Sequence, residues 1–384
     1  MDGPTEPRRI VLRNHLSLGD VITLTASLRE LHEACPGRFE TGVDTCFPDV
    51  WENNPFVSPV SADDPGVTVF QCDCPLIHES NTAPYHYIHA FTQHLAQGLD
   101  VHIKPRHFHG HIVLGEEERS WGSRIWELAG TDLPFWLIVS GGKHDFTNKW
   151  WSAARWQRVV DYFKGRILFV QVGEKDHCHP ALKGVLDLRG ETSVRQLIRL
   201  TYHSQGVTCG VTSLMHLAAA VPFPPEKPGL RPCVVVAGGR EPAHWEEYPG
   251  HQYLHTIGAL PCCTHGGCWK SRTVARHDGC EQDSSLCEHP VHESTPHPDD
   301  ERQGSLPKCM DMISWRQVAS AIGSYFVGGV RSFLSPKQAE LAQKIISRQK
   351  GHPASAGGAP CINHECPTQK HDAGHPKQAE VLAS

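Results

Sequence analysis

The sequence predicts an α/β protein with two domains, each built on a parallel β-sheet, and a cysteine-rich insertion in the second domain. The chain has 384 residues, the usual length of two domains. Strand-like runs alternate with helix-like runs from residue 9 to residue 237, which is typical of parallel sheets covered by helices on both faces. The alternation stops at 261–308, where Cys, His, Gly, Asp and Ser predominate. A structureless stretch of this length needs an organiser other than an apolar core.

The first predicted unit, residues 1–125, has the order strand, loop, helix. Arg9–Arg13 is a short strand-like run, and Asp20–Leu31 carries apolar residues at helical spacing. A further strand is predicted at 67–70 and a further helix at 85–98. A strand followed by a helix is the first half of a βαβ unit.

The second predicted unit, residues 126–330, repeats the alternation after a turn at 130–134. Its strands are predicted at 135–139, 167–172, 206–209 and 233–237, and its helices at 156–163, 193–202, 213–221 and 313–326. The cysteine-rich insertion, 261–310, belongs to this unit. Residues 331–384 are predicted to form one more helix and then a disordered tail rich in Gly, Ala, Pro and His.

Composition excludes several classes of protein. The formal net charge is −6, which argues against general nucleic-acid binding because that function needs a basic face. We find no signal peptide and no apolar run of the roughly 18 residues that a membrane helix needs, so we expect a cytoplasmic protein. Fifteen cysteines in a reducing compartment favour metal binding over a disulfide framework.

Four segments in a fixed order carry a family resemblance. They begin at Leu18 (LGD, then SLREL at 27–31), Asn148 (NKWW, then RW at 155–156), Val170 (VQVGE) and Thr212 (TSLMHLAAA). On these segments the chain resembles glycosyltransferase family 9, the heptosyltransferases, over about residues 8–330. LIHESN at 76–81 and YHYIH at 85–89 are similar to the autotransporter heptosyltransferase group, whose members carry an iron-binding cysteine finger.

The resemblance implies a GT-B architecture, in which two Rossmann-like domains face a central cleft. Residues 1–125 would then bind the acceptor, and 126–330 the nucleotide sugar. The implied reaction moves a heptose from ADP-heptose to a hydroxyl acceptor with inversion and without a catalytic metal. Lipopolysaccharide core, a protein and a small glycan all stay open as acceptors, and the autotransporter-like segments favour a protein.

Asp20 matches the catalytic aspartate of the family's GD motif. An acceptor hydroxyl must lose its proton as it attacks the anomeric carbon, and a nearby carboxylate can accept it. The alternative is that Asp20 only caps the helix that it opens. Lys149 matches the family's lysine that faces the donor diphosphate, although Ser152 stands where a proline is usual. Its alternative is an ordinary solvated lysine.

Further donor contacts are expected at the starts of two loops and one helix. Thr212 and Ser213 begin the helix that contains His216, and a helix N-terminus binds phosphate well. Val211 replaces an aspartate that is usual in the family, and a buried packing role for His216 weighs equally with a donor contact. Glu174 and Gly142 follow strands at the edge where α/β proteins bind ligands.

His86 and His89 are the candidate acceptor contacts. They lie three residues apart on a predicted helix of the acceptor half. A solvated helix face is the alternative, and we favour it on sequence alone.

The cysteine-rich insertion is the strongest local signal. The predicted metal ligands are Cys263, Cys268, Cys287 and Cys309, with Cys262 as the alternative to Cys263. Four thiolates suit structural iron or zinc, and their spacing does not choose between the two. Buried free cysteines are the alternative, but they do not explain six cysteines in 48 residues with almost no apolar pattern. Cys280 is the predicted spare and His265 a lesser candidate.

Two other functions compete with heptose transfer. One is a non-enzymatic binding or assembly module on the same scaffold, with the cysteine segment serving a homo-oligomer; Val211 favours it. The other is a transferase that uses a different nucleotide sugar. Asp20 and Lys149 argue against the non-enzymatic binding or assembly module.

Overall fold

The computed structural model describes residues 6–73, 75–120, 125, 128, 135–224, 230–300, 302 and 304–327. The predicted turn at 130–134 and the predicted C-terminal segment, 331–384, lie outside these residues. The division between 125 and 126 therefore stays a prediction.

A three-stranded parallel sheet organises the first half. Its strands are β1 (Arg8–Asn14), β2 (Phe39–Thr45) and β3 (Thr68–Gln71), in the order β2-β1-β3. The helices of this half are α1 (Leu18–Ala34), α2 (Tyr87–Leu99) and α3 (Glu116–Ser120). The predicted strands and helices are confirmed to within a few residues, whereas β2 lies outside the predictions because its sequence, FETGVDT, is largely polar.

A six-stranded parallel sheet organises the second half, in the order β6-β5-β4-β7-β8-β9. Its strands are β4 (Phe135–Ile138), β5 (Leu168–Gln171), β6 (Leu186–Asp187), β7 (Gly206–Gly210), β8 (Cys233–Gly238) and β9 (His251–His255). The accompanying helices are α4 (Ala153–Tyr162), α5 (Val194–His203), α6 (Ser213–Ala220), α7 (Ala243–Glu246), α8 (Lys308–Asp311) and α9 (Trp315–Val327). All the predicted strands and helices of this half are present.

The cysteine-rich insertion contains little regular structure. Strands β10 (Pro290–His292) and β11 (Ser305–Pro307) form an antiparallel pair, and 3-10 turns span Pro261–Cys263 and Glu281–Ser284. Its C-terminal end does join an apolar core, because Leu306, Cys309 and Met310 pack with the second sheet. The expectation of a segment without a core is therefore wrong for that end.

The two halves share an apolar core where α1 packs against α6. Leu217 and Trp245 of the second half belong to the core cluster of the first half. Gly110 lies so close to both helices that a Cβ there would come within 2.7 Å of the Ile22 carbonyl oxygen and 2.8 Å of Ala220 Cβ. This packing brings the N-terminal ends of α1 and α6 together. None of the helices in the described ranges is long and apolar enough to cross a membrane.

Candidate active site and cysteine cavity

Asp20 lies in the first turn of α1, at the boundary between the two halves. Ser17 is the N-cap of this helix, and Asp20 stands three residues later. The Asp20 carboxylate accepts a hydrogen bond from the Ser17 backbone N–H at 3.0 Å, which completes a capping box. The Tyr87 hydroxyl donates to the other carboxylate oxygen. Asp20 is thus a capping-box residue but not the N-cap, and Tyr87 holds it from the neighbouring helix.

His216 lies directly against the start of α1. A Cβ on Gly19 would come within 2.9 Å of His216 Cδ2, so only glycine fits beside the ring. His216 Nδ1 lies 2.7 Å from the Tyr248 hydroxyl, and Nε2 lies 3.6 Å from a Glu246 carboxylate oxygen. Burial lowers the pKa of His216 to about 3. The ring is therefore neutral and packs the junction, as the buried-histidine alternative expects.

Lys149 is paired with a buried carboxylate. It ends a 3-10 turn, and its Nζ lies 2.7 Å from Glu241 Oε1. Glu241 is 1% exposed and also accepts a hydrogen bond from Arg240. Burial opposes ionisation of Glu241, but Arg240 and Lys149 outweigh it and lower the pKa of the carboxyl. Lys149 is thus fixed by an ion pair with Glu241 and is not an ordinary solvated lysine.

Asp20, Lys149 and His216 belong to one electrostatic cluster centred on Glu246. Burial, Glu241 and Asp20 raise the pKa of Glu246, whereas Lys149 and Arg240 lower it, and the net result is a pKa of about 8. Lys149 also contributes to the low pKa of His216. Asp20 and Lys149 thus both act on the buried carboxyl of Glu246, and His216 lies 3.6 Å from it.

Replacing Glu246 with Gln is expected to change how stability depends on pH. A carboxyl whose folded pKa of about 8 exceeds its ordinary value of 4.5 binds more protons in the folded state than in the unfolded state at any pH between these values. The free energy of unfolding therefore falls as pH rises through that window. Glu246→Gln keeps a neutral side chain, so the variant should be more stable than wild type at pH 8 by about 1 kcal/mol or more. Urea unfolding at pH 5 and pH 8 measures this.

The exposed Glu191 supplies the control. Glu191→Gln should leave the pH dependence of the wild type unchanged. A parallel fall in stability from pH 5 to pH 8 in wild type and Glu246→Gln would contradict the prediction.

Thr212 and Ser213 lie at the predicted helix start. Thr212 is the N-cap of α6, and its hydroxyl is buried without a hydrogen-bond partner. Ser213 is the first residue of the helix. A free hydroxyl and the first amides of α6 can therefore serve an anion beside His216.

Glu174 and Gly142 lie at the carboxyl edge of the same sheet but outside the cluster. The Glu174 side chain is 61% exposed, and one of its carboxylate oxygens lies 3.4 Å from His177 Nε2. Gly142 pairs through its backbone with Cys178 in both directions, at 2.9 and 3.2 Å. Neither residue is part of the Lys149–Glu241 ion pair, so their donor role stays a prediction.

His86 and His89 do not form a solvated helix face, so that expectation is wrong. His86 is the N-cap of α2, and its ring lies 4.9 Å from that of Tyr248. Burial lowers the pKa of His86 to about 3. His89 Nε2 is buried without a hydrogen-bond partner, and the ring lies 5.0 Å from Phe108. His86 packs against Tyr248 of the second half, and His89 packs against Phe108 of the first half. Their predicted role in acceptor binding stays a prediction.

The predicted metal ligands line one cavity of about 10 Å³, the volume of a single water-sized sphere. Its cysteines are Cys262, Cys263, Cys268, Cys287 and Cys309. Cys280 and His265 do not line it, in agreement with their lower rank. Arg240, Lys270 and Lys308 also line the cavity, and such cations offset the negative charge of a four-thiolate site. The donor set therefore fits a thiolate-bound metal.

Burial raises the pKa of four of the cavity's thiols, those of Cys262, Cys268, Cys287 and Cys309. Burial raises the pKa of Cys309 to about 12 and that of Cys262 to about 11. In the described ranges, the one Cys/His/Asp/Glu group whose ligand atoms all lie within 4.8 Å of one another is Glu30, Glu33 and His107. The cysteine sulfurs are thus more widely spaced than in a tetrahedral site. Metal binding has to release protons and draw the sulfurs together.

Asn81 of the first half forms hydrogen bonds with the cysteine-rich insertion. The Asn81 side chain donates to the Gly267 carbonyl at 2.9 Å and accepts from the Gly267 N–H at 2.8 Å. The Trp269 indole N–H donates to the same amide oxygen at 3.2 Å. The insertion is also tied to the loop after β8, because Cys268 N–H donates to the Gly239 carbonyl at 3.1 Å and Trp269 N–H to that of Arg240 at 3.0 Å. The segment thus braces the loop that holds Lys149.

Sequence reasoning missed Glu241, Glu246, Tyr87 and Tyr248. The two glutamates follow the buried strand β8 at its carboxyl end, where α/β proteins bind ligands. That placement is readable from the sequence VVVAGGREPAHWEE. The tyrosines carry no such signal, since their roles depend on how the halves pack.

Comparison with known proteins places this geometry in a known fold. No family model matches the chain, and no curated protein has a significantly similar sequence. TibC, an iron-containing dodecameric glycosyltransferase from enterotoxigenic E. coli H10407, is 16% identical with a TM-score of 0.54 over 83% of this chain and 76% of that chain. TibC in complex with ADP-D-beta-D-heptose, described there as a heptosyltransferase, is 15% identical with a TM-score of 0.53 over the same shares. These likenesses confirm the predicted GT-B-type α/β fold: the chain has the fold of the glycosyltransferase TibC.

Proposed function

We propose that the chain is a glycosyltransferase of family 9 that moves a heptose from ADP-heptose to a hydroxyl acceptor with inversion. The observation that carries the proposal is the grouping of Asp20, Lys149 and His216 around the buried carboxyl of Glu246. Similarity to TibC, which is described in complex with ADP-D-beta-D-heptose, supports the donor. We further propose a cytoplasmic location and a protein or lipopolysaccharide core as acceptor.

The proposed reaction needs two electrostatic contributions from the protein. Asp20 accepts the proton of the acceptor hydroxyl, whose oxygen forms a bond to the anomeric carbon as the bond to the ADP oxygen breaks. Lys149 and the α6 start, Thr212 and Ser213, stabilise the negative charge that develops on the leaving diphosphate. Glu241 fixes Lys149 in place, so little reorganisation is needed during the reaction.

The cysteine cavity is proposed to hold a structural iron or zinc ion. Cys263, Cys268, Cys287 and Cys309 are the proposed ligands, with Cys262 as the alternative to Cys263. The description of TibC as iron-containing and dodecameric supports iron, and it supports a homo-oligomer for this chain. Such an ion supplies folding free energy to the insertion and takes no part in sugar transfer.

Nucleotide binding tests the donor site. ADP should raise the melting temperature of the protein, because a ligand that binds only the folded state stabilises it. Lys149→Met should weaken ADP binding by about 10- to 100-fold, the usual value of a charge-assisted hydrogen bond. The variant should fold, since Glu241 keeps its contact with Arg240. Isothermal titration of ADP measures the effect.

The exposed Lys164 gives a matched control. Lys164→Met should bind ADP as the wild type does. A larger thermal shift with UDP than with ADP would indicate that the donor is another nucleotide sugar and not ADP-heptose. No shift with either nucleotide would favour the binding module, which Val211 at the family's aspartate position also favours.

A further inference from the structure

A second cavity, of about 360 Å³, lies between the two halves, and Tyr248, whose hydroxyl lies 2.7 Å from His216 Nδ1, forms part of its wall. Residues 108–113 of the first half and 218–223 of the second contribute to its walls. Arg231 precedes β8 and His251 begins β9, so the cavity opens at the amino-terminal edge of the sheet. Glu241 and Thr212 lie beyond the carboxyl ends of their strands, at the opposite edge. The volume falls in the range of small-molecule sites, about 300–1,000 Å³.

Nitrogen-bearing side chains dominate the polar lining of this cavity. The basic and imidazole residues are Arg29, Arg119, Arg231, His109, His111 and His251. The described lining includes no aspartate or glutamate, although the whole chain has a formal net charge of −6. Glu33, which pairs with Arg29 at 2.7 Å, lies outside the lining. The cavity is therefore suited to an anion.

Arg231 is a buried cation without a carboxylate partner among the described residues. It is 3% exposed, and its two terminal nitrogens donate to four backbone carbonyls, those of Ala218, Val221, Tyr202 and Pro222, at 2.8–3.3 Å. Its Nε is buried without a hydrogen-bond partner. Burial lowers the pKa of this guanidinium to about 9. An uncompensated buried charge is costly, so an anion beside it would be stabilising.

Two imidazoles of the same lining also have a nitrogen without a partner. They are Nδ1 of His251, which is 4% exposed, and Nδ1 of His111. Burial lowers the pKa of His251 to about 3 and that of His111 to about 4, so both rings are neutral. Each can donate one hydrogen bond from Nδ1 in the appropriate tautomer. Besides Arg29 and Arg119, the cavity thus offers one buried cation with an unused N–H, Arg231, and two neutral donors.

We propose that this cavity binds a small organic carboxylate. Its single negative charge faces Arg231 and His251, and its apolar part packs against Phe108 and Phe223, which also line the cavity. A phosphate dianion fits less well, because the terminal nitrogens of Arg231 are already occupied and cannot form a bidentate clamp. Arg231 and His251, which carry the proposal, lie at the edge of the sheet opposite Glu241 and Thr212, although the cavity shares Tyr248 with the candidate active site.

Fluorine NMR of 4-fluorobenzoate with the full chain tests this site. We expect saturable broadening of the ligand signal, reversed by benzoate but not by neutral benzamide, inorganic phosphate or ADP. Ala219→Leu, which adds bulk to a lining position on α6, should weaken binding at least tenfold. Ala259→Leu, at an exposed position, should bind as the wild type does.

A second variant tests the cation directly. Arg231→Gln should also abolish binding of 4-fluorobenzoate. If Arg231→Gln does not fold, the result with Ala219→Leu tests the proposal instead. Each of three results would overturn the proposal: no saturable binding, equal competition by benzamide, or unchanged affinity in Ala219→Leu. Stronger competition by inorganic phosphate than by benzoate would overturn the carboxylate assignment.

Discussion

Replacing Asp20 with Asn is expected to reduce sugar transfer by about 10²- to 10⁴-fold, the usual contribution of a general base. The amide cannot accept the acceptor's proton, but it has nearly the same shape. Its oxygen can still accept hydrogen bonds from the Ser17 N–H or the Tyr87 hydroxyl, which now hold the carboxylate. ADP affinity should therefore stay within about twofold of wild type. The substitution removes at most one capping-box hydrogen bond of α1, and it leaves the residues proposed to hold the diphosphate unchanged. ADP release from ADP-heptose, measured with lipopolysaccharide core and with hydroxyl-bearing peptides as acceptors, gives the rate.

A capping variant separates catalysis from helix stability. Ser17→Ala removes the side chain of the N-cap, which usually costs about 1 kcal/mol of stability, and leaves the Asp20 carboxylate in place. It should lower the melting temperature and keep most of the transfer rate. Wild-type transfer by Asp20→Asn would rule out the base assignment, and equal losses in both variants would reduce Asp20 to a capping residue.

The elements of the fold were largely predictable because they follow from local periodicity. Helix α1 and strand β8 carry continuous apolar patterns, and their predicted bounds differ from the observed ones by a few residues. Strands β2 and β9 escaped prediction because FETGVDT and HQYLH are largely polar. Their strand conformation comes from pairing with β1 and β8, and this tertiary effect outweighs local preference.

The candidate site was predictable only in part. Asp20 and Lys149 could be singled out one by one, but the sequence does not show that Glu241 neutralises Lys149 across 92 positions of chain. The prediction of a solvated face for His86 failed for a related reason. Spacing on one helix says which residues share a face, but only the packing of α2 beside Tyr248 shows that the face is covered.

Replacing Cys268 with Ser is expected to abolish stoichiometric metal binding and to expose residues 261–310 to proteolysis. Much of this segment lacks an apolar core, so the free energy of metal binding must hold it together. Metal analysis of the purified protein, limited proteolysis and native mass spectrometry measure ion content, segment order and oligomeric state. Cys280→Ser is the matched control, because Cys280 belongs to the same segment but does not line the cavity. It should keep the metal and the wild-type proteolytic pattern.

Loss of the metal should also reach the donor site. Cys268 and Trp269 hydrogen-bond the carbonyls of Gly239 and Arg240, and Arg240 Nε donates to the Lys270 carbonyl at 2.7 Å. The next residue, Glu241, holds Lys149. When the segment loosens, Glu241 should no longer fix Lys149, and ADP affinity should fall about tenfold, the value of one charge-assisted contact. Wild-type ADP affinity in metal-free Cys268→Ser would show that the segment does not brace this loop. Metal-free protein with unchanged proteolysis would show that the cysteines do not organise the segment through an ion.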